Sequence, residues 1–439
     1  MPTQRIPQTD VQYSLIMFDE QGKERTDDPE GGTFSDTILK RVKDGQPTDI
    51  FLFSHGWMGD APASIDQYNR WIGAMWKLEA DRAAMGSNFK PLFIGLHWPS
   101  LPWGEETASG PPASFGSADA PNMGGLLDAA VAHFGGGAAV RLPLEVLFKI
   151  FAENPAAKAL PPEALAAYHA LGQAVGFSAG SDASAAPDQE GVPLDPQTAV
   201  VVERRVSAGQ SFGIFGTIRN GVLAGLRQTS FWTMKHRART IGERGVHVFV
   251  AALQQASDAR IHLMGHSFGC IVTSSILGGP NGNTPLPRKV DSAVMVQGAL
   301  SLWGFAEKLP DGSNRGYFNS MLTSGAVGGP LVTTQSRHDL AVGVAYPAAV
   351  GLVNEVAFGA GGAAVLPTFG GVGTWGIQGT KIAEARPMLA SDGHYDFRRG
   401  GVYNLDGSAF ISGHSKIDGP EVAHVLWQVA KGAEKGLAA

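Results

Sequence analysis

The sequence predicts an α/β fold in which a mostly parallel central sheet is flanked by helices. Three short apolar runs, at residues 49–53, 91–97 and 260–264, have the length and composition of buried strands. A helix that opens with the capping-box spacing of Ser64 and Gln67 separates the first two runs. Because a strand, a helix and a strand in succession form parallel pairs, the sheet is expected to be mainly parallel.

The composition is that of a globular protein without a nucleic-acid footprint. The 439 residues are 44% hydrophobic, and 34 basic residues against 40 acidic ones leave a formal charge of -6. The sequence has no obvious basic run, so nucleic acid is not an expected partner. The single cysteine, Cys270, excludes a disulfide framework within the chain and a multi-cysteine metal site.

The sequence shows no targeting or membrane signal. The N-terminal segment lacks the apolar stretch of a signal peptide, and no uninterrupted apolar span has membrane length. A cytoplasmic protein is therefore the default expectation, with secretion that needs no such signal left open. Contact with a membrane is not indicated.

Residues 1–100 are expected to form the first half of the core. A first strand is predicted at residues 11–18, before the apolar runs at 49–53 and 91–97. The second of those runs ends at Trp98 and Pro99, and proline cannot continue a central strand.

The pattern changes over residues 101–229. Glycine-rich and alanine-rich loops surround amphipathic stretches at 126–134, 144–151 and 162–175, and no strand is obvious. We expect this segment to be an insertion that forms a helical lid over the sheet. An outer layer or an oligomer contact without a role at the site is the alternative.

Regular alternation resumes over residues 230–439, which are expected to form the second half of the core. Its predicted elements are a helix at 232–256, strands at 260–264, 290–298, 330–335 and 408–411, and a closing helix at 421–431. A glycine-rich insertion of uncertain structure interrupts this half at 341–380. Within it, residues 371–376 match the dinucleotide pattern G-x-G-x-x-G, which we discount because no clear strand and helix flank it.

A candidate nucleophile lies between the strand at 260–264 and a predicted helix at 271–277. Residues 265–269, GHSFG, fit G-x-S-x-G, in which a strand turns sharply into a helix and exposes a serine. Such a turn needs glycine on both sides, because a Cβ there collides with neighbouring elements. The pattern alone is weak in a chain with 58 glycines, so its position at a strand-to-helix junction is what supports Ser267.

Two polar residues that follow Ser267 complete a candidate catalytic set. A serine hydroxyl needs a base within hydrogen-bond reach and a third group that fixes the tautomer of that base. Asp339 and His414 each come just after a predicted strand, in the chain order Ser, Asp, His. The alternatives are His394 and His424 for the base, and Asp311 and Glu355 for the acid.

Four further residues are expected around the site. His55 and Gly56 follow the strand at 49–53, His97 ends the next strand, and His266 lies in the serine turn itself. The three histidines are expected to be structural rather than to act as the base. Walker A and His-Glu-x-x-His patterns are absent, and no metal site is expected.

The chain resembles the serine hydrolases of the α/β-hydrolase fold through residues 53–57 (FSHGW), residues 265–269, Asp339 and His414. Together with residues 98–100 (WPS), these motifs are similar to those of a group of bacterial hydrolases within that fold.

The resemblance implies a role for each matching residue. Ser267 would be the nucleophile, His414 the general base and then acid, and Asp339 its orienting partner. The oxyanion hole would consist of the backbone N–H groups of Phe268 and Trp57.

The expected function is that of a carboxylesterase or lipase-like serine hydrolase that forms an acyl-enzyme and needs no cofactor. Its substrate would be a small-molecule ester or a lipid. An amidase, a thioesterase or an acyltransferase would use the same residues. The other classes are a membrane-acting lipase, with the insertions as an interfacial lid, and a binding protein without turnover. The sequence does not indicate an oligomeric state.

Overall fold

The architecture is taken from a computed structural model of the chain. The described residues are 3–26, 33–57, 61–100, 123–134, 136–153, 160–174, 234–310, 314–339, 341–345, 366–367 and 370–433. Within these ranges, no helix combines the length and the apolar character needed to cross a membrane.

Strands and helices alternate along the described chain. The strands are β1 (Thr3–Arg5), β2 (Gln12–Met17), β3 (Asp49–Ser54), β4 (Pro91–His97), β5 (Arg260–His266), β6 (Ser292–Val296), β7 (Leu331–Gln335), β8 (Ala383–Pro387) and β9 (Val402–Asp406). The α-helices are α1 (Phe34–Gly45), α2 (Ala61–Lys77), α3 (Glu79–Ala83), α4 (Met123–His133), α5 (Ala138–Glu153), α6 (Pro162–Ala174), α7 (His247–Ala256), α8 (Gly269–Gly278), α9 (Asn319–Thr323), α10 (Val372–Trp375) and α11 (Pro420–Lys431). A helical stretch at 234–240 continues through a π-helical segment, Ile241–Val246, into α7.

The strands of the described ranges form one nine-stranded sheet in the order β1-β2-β4-β3-β5-β6-β7-β9-β8. The pair β1 and β2 is antiparallel, and every other neighbouring pair is parallel. The predicted α/β class with a mostly parallel sheet and flanking helices is therefore confirmed.

Side chains of the central strands alternate between two hydrophobic layers. On β3, Ile50 and Leu52 pack into the layer that contains residues of α1, α7 and α8. Phe51 and Phe53 point to the opposite face and pack with residues of α2 and α11. Because successive side chains of a strand point to opposite faces, a continuous apolar run such as β3 is buried on both sides.

The strand order reverses at β3. After β4 the chain crosses back over β3 and enters β5 on its other side, so β3 lies between β4 and β5. The register pairs Ser54 with Gly265, and the carboxyl ends of β3 and β5 therefore lie side by side. In open α/β sheets, the crevice at such a reversal is where ligands bind.

The described part of the segment 101–229 is helical. Helices α4, α5 and α6 share a separate hydrophobic cluster that includes Leu144, Leu147, Tyr168 and Leu171. The amphipathic stretches predicted there correspond to these three helices, and residues 123–134, 136–153 and 160–174 contain no strand.

One predicted strand is wrong. The last strand along the chain is β9, whereas residues 408–411, for which the sequence predicts a strand, belong to a turn that follows it. The Asp406 side chain starts this turn, because its Oδ1 accepts a hydrogen bond from the Ser408 N–H at 2.9 Å. Strands β1, β8 and β9 were not predicted. Strands β1 and β8 lie at an edge of the sheet and carry polar, partly exposed side chains. Strand β9 is buried, but Asn404 interrupts its apolar residues.

Candidate active site

Ser267 occupies the sharp turn between β5 and α8. Its φ of 57° lies in the left-handed region, which a residue with a side chain adopts only where its surroundings hold it. The surroundings are tight on both sides. A Cβ added at Gly269 would lie 2.2 Å from the Ser54 carbonyl oxygen, and one at Gly265 would lie 2.5 Å from the carbonyl oxygen of Gly269. Glycine at both positions lets β3, β5 and α8 approach closely enough to fix the turn.

Ser267, His414 and Asp339 form one hydrogen-bonded chain. His414 Nε2 lies 2.8 Å from Ser267 Oγ, and His414 Nδ1 lies 2.9 Å from Asp339 Oδ2. A carboxylate accepts hydrogen bonds, so Nδ1 carries the proton and Nε2 is left to accept the serine hydroxyl. The Asp339 side chain is fully buried, whereas that of His414 is 20% exposed. The arrangement can therefore remove a proton from Ser267 while a buried negative charge faces the histidine.

Gln297 is a residue of this site that the sequence analysis missed. It follows β6, is fully buried, and its Nε2 donates a hydrogen bond of 2.9 Å to Asp339 Oδ2. The Thr334 hydroxyl donates to Gln297 Oε1 at 3.0 Å and fixes the orientation of the amide. Asp339 Oδ1 accepts the backbone N–H of Val342 at 3.0 Å. Both oxygens of the carboxylate are therefore held in place.

The described residues 370–376 of the glycine-rich insertion pack behind the carboxylate. The Gly373 carbonyl accepts a second hydrogen bond from Gln297 Nε2, at 3.1 Å. A Cβ at Gly373 would lie 3.0 Å from Asp339 Oδ2, so the backbone of α10 touches the acid directly. The literal G-x-G-x-x-G match thus lies in a four-residue helix beside Asp339, without the long helix that a dinucleotide site requires.

The two residues proposed for the oxyanion hole lie against each other beside Ser267. The Trp57 and Phe268 rings are stacked, with centroids 5.5 Å apart and planes 14° apart. Gly56 lets the loop after β3 approach the nucleophile, because a Cβ there would lie 2.7 Å from Ser267 Cβ. Ser267 also lies at the N-terminal end of α8, where the helix dipole favours negative charge.

His55 and His97 support the loop that follows β3. His55 Nδ1 donates to the Gly56 carbonyl at 2.8 Å, and its Nε2 accepts the Trp98 N–H at 3.2 Å. The His55 ring stacks with those of His97 and Trp98. Burial lowers the pKa of His55 well below its usual value, and the neighbouring His97 lowers it further. His55 is therefore neutral and holds the Gly56–Trp57 peptide in one orientation.

His266 contacts the base rather than acting as one. Its ring lies 4.9 Å from that of His414, and its Nε2 lies 3.0 Å from the His414 carbonyl oxygen. Burial lowers the pKa of His266 to about 3, with a further contribution from His414.

Acidification from pH 7 to pH 5 is expected to destabilise the wild type more steeply than the variant His266→Gln. In the unfolded chain His266 titrates near its usual value of about 6.5. Above that pH it is neutral in both states and contributes no pH dependence. Between about 6.5 and 3 the unfolded state binds the extra proton, so the free energy of unfolding falls by up to about 1.4 kcal/mol per pH unit.

Urea unfolding at pH 7, 6 and 5 measures this difference. The wild-type slope of stability against pH should exceed that of His266→Gln, whatever the absolute stability of the variant. Equal slopes for the two proteins would show that His266 takes up its proton in the folded state as readily as in the unfolded state.

The alternative bases and acids do not join the chain. His394 is exposed. His424 is buried elsewhere, with Nδ1 2.7 Å from Asp81 Oδ2 and Nε2 hydrogen-bonded to the Gly393 carbonyl. Asp311 and Glu355 lie outside the described residues.

A second set of serine, histidine and aspartate lies towards the amino ends of the central strands, whereas Ser267 follows a carboxyl end. His262 bridges Asp49 Oδ1, at 2.9 Å, and Ser292 Oγ, at 2.7 Å. Asp49 Oδ1 also accepts a hydrogen bond from Arg260 at 2.8 Å. At most 1% of Asp49, His262 or Ser292 is exposed, so a substrate has no access. These three side chains form a structural polar network near the amino ends of β3, β5 and β6.

Among the described ranges, no group of three His, Cys, Asp or Glu side chains is arranged to hold a metal ion. Comparisons of the chain with protein-family models, with curated proteins and with solved structures found no match.

Proposed function

We propose that the protein is a serine hydrolase of the α/β-hydrolase fold that cleaves carboxylic esters through an acyl-enzyme. The observation that carries this proposal is the continuous hydrogen-bonded chain from Ser267 through His414 to Asp339. The left-handed turn at Ser267, directly after β5, supports it, as do the positions of Asp339 and His414 in the segments that follow β7 and β9.

The reaction would begin at Ser267. Its Oγ attacks the ester carbonyl carbon as its proton moves to His414 Nε2, and a tetrahedral oxyanion forms. Backbone N–H groups of Phe268 and Trp57 would stabilise that oxyanion, together with the N-terminal end of α8. His414 then gives its proton to the departing alkoxide, which leaves as an alcohol, and the acyl group stays on Ser267.

Water completes the cycle. It attacks the acyl carbon while His414 Nε2 takes one of its protons, and that proton returns to Ser267 as the carboxylic acid leaves. Asp339 stays ionised and stabilises the imidazolium at both steps. In this proposal the two parts 1–100 and 230–439 form the catalytic core, and 101–229 carries a lid that selects the ester or lipid.

Labelling with a fluorophosphonate tests the proposal. Wild-type protein is expected to become covalently labelled, and Ser267→Ala to lose the label completely, because this reagent requires an activated serine. Ser292→Ala is the matched control, since Ser292 also hydrogen-bonds a histidine but is buried. It should label at the wild-type rate. A panel of p-nitrophenyl esters of increasing acyl length then measures turnover and the size of the acyl pocket.

Each outcome has one meaning. A folded wild-type protein that neither labels nor turns over any ester would contradict the proposal and favour a binding protein. Label that persists in Ser267→Ala would move the nucleophile to another residue.

A further inference from the structure

His266 has both ring nitrogens engaged and one defined tautomer. The His414 carbonyl can only accept, so His266 Nε2 carries the proton and donates to it at 3.0 Å. Nδ1 then accepts a hydrogen bond from the Gln67 side-chain amide, with Nδ1 and Gln67 Nε2 3.2 Å apart. Only 6% of His266 is exposed, and Trp71 packs edge-on against its ring. The ring is therefore held from three directions.

We propose that His266 is a positioning residue for His414: through its hydrogen bond to the His414 carbonyl, it holds the base at the distance from Ser267 that proton transfer requires. The inference rests on the proposed function. His266 immediately precedes the nucleophile in the chain, so one dipeptide supplies both the reacting oxygen and the anchor of the base.

The base needs such an anchor because no strand or helix holds it. His414 lies in the irregular segment 407–419, between β9 and α11. Another contact holds this segment further along the chain, where Arg70 of α2 donates from Nη1 to Asp418 Oδ2 at 2.8 Å. That ion pair is partly exposed and four residues away from the base. The hydrogen bond from His266 acts on the backbone of His414 itself.

The charge of His266 fits this role. A cationic ring 4.9 Å from His414 would oppose the imidazolium that His414 becomes in the reaction. Burial is the largest effect and keeps the pKa of His266 low. The charges of His414, Arg70 and His55 also disfavour a positive charge on His266, whereas the hydrogen bond to the His414 carbonyl favours it. The low pKa of His266 agrees with a ring that stays neutral while it donates.

Two substitutions at position 266 separate positioning from packing. His266→Leu fills most of the space and removes the donor, and it is expected to lower kcat/KM by about tenfold to a hundredfold, mainly through kcat. His266→Gln retains a side-chain N–H that can reach the same carbonyl, and it should restore kcat/KM to within about fivefold of wild type. His424→Gln is the matched control, a buried histidine that also donates to a backbone carbonyl. It should leave kcat/KM unchanged.

A double-mutant cycle with His414→Ala shows whether His266 acts through the base. When His414 is already absent, His266→Leu is expected to cause no further loss in the residual rate of ester hydrolysis. If His266→Leu does not fold, Gln67→Leu is the second variant. It removes the donor that fixes the tautomer of His266, and it should lower kcat by about threefold to tenfold.

The outcomes distinguish this inference from the proposed function. Wild-type turnover with no loss in His266→Leu, no rescue by His266→Gln, or an equal loss with and without His414 would overturn the positioning role alone. If Gln67→Leu has to replace His266→Leu, an unchanged kcat would do the same. A wild-type protein without label or turnover would overturn both.

Discussion

Replacing His414 by alanine is expected to reduce kcat for a short p-nitrophenyl ester by about 10⁴-fold to 10⁶-fold. Without the imidazole, Ser267 Oγ loses the acceptor 2.8 Å away that takes up its proton, and the leaving alkoxide loses its proton donor. The fold should tolerate the change, because the ring is partly exposed and lies in an irregular segment. Steady-state turnover and a thermal melt measure the two effects.

The control for this prediction is His424→Gln. That residue was an alternative base on the sequence, and it is bonded to Asp81 and Gly393 rather than to Ser267. It should keep kcat within about threefold of wild type. Retention of more than about a tenth of kcat by His414→Ala would transfer the role of base to another residue.

The variant Asp339→Ala is expected to lower kcat by about 10⁴-fold. Asp339→Asn is expected to keep a kcat about tenfold higher than that of Asp339→Ala. Elsewhere, asparagine in this role turns its amide N–H towards the histidine and enforces the wrong tautomer. Here Oδ2 accepts two N–H groups, from His414 and Gln297, and Oδ1 accepts one from Val342. The oxygen of Asn should therefore take the Oδ2 position and keep the proton on His414 Nδ1.

Gln297 makes this prediction testable. In the double variant Asp339→Asn with Gln297→Leu, one of the two donors at Oδ2 is gone, so the amide can turn and activity should fall to the level of Asp339→Ala. The kcat values of the three variants on one ester provide the measurement. Equal activity of Asp339→Asn with and without Gln297 would mean that Gln297 does not orient the acid.

Most of the central strands were predictable because burial on both faces leaves a plain signal. Continuous apolar runs bounded by polar residues appear at β3 and β4, the run at β5 is interrupted only by His262, and the structure has strands there. Edge strands lack that signal, since β1 and β8 face solvent on one side and read as polar segments. Helix α1 was missed although Phe34, Ile38 and Val42 recur at helical spacing.

Ser267 and Asp339 could be predicted as site residues from chain order and from the strands before them. His414 could be predicted from chain order alone, because the strand expected at 408–411 is a turn. The supporting contacts of the three residues could not be predicted. Gln297 is a single polar residue after a strand, and only folding brings it to Asp339, 42 positions away. The signal that could have found it is its position directly after a buried strand. Ser267 also directly follows a buried strand, and Asp339 lies shortly after one. His266 was expected near the site, but its hydrogen bond to the His414 backbone depends on a turn that has no sequence pattern.

The crossing from β4 back to β5 has a consequence for how this protein can change. The chain leaves the sheet after His97, at the edge that carries Ser267, and re-enters through the helical stretch at 234–256, whose Met234 and Ala238 belong to the main core. All of 101–229 lies within this one excursion. Insertions, deletions or exchanges there are expected to leave the register of β3 with β5 unchanged. In the proposed hydrolase with a lid at 101–229, substrate range and catalytic geometry would therefore evolve independently, in separate stretches of one chain.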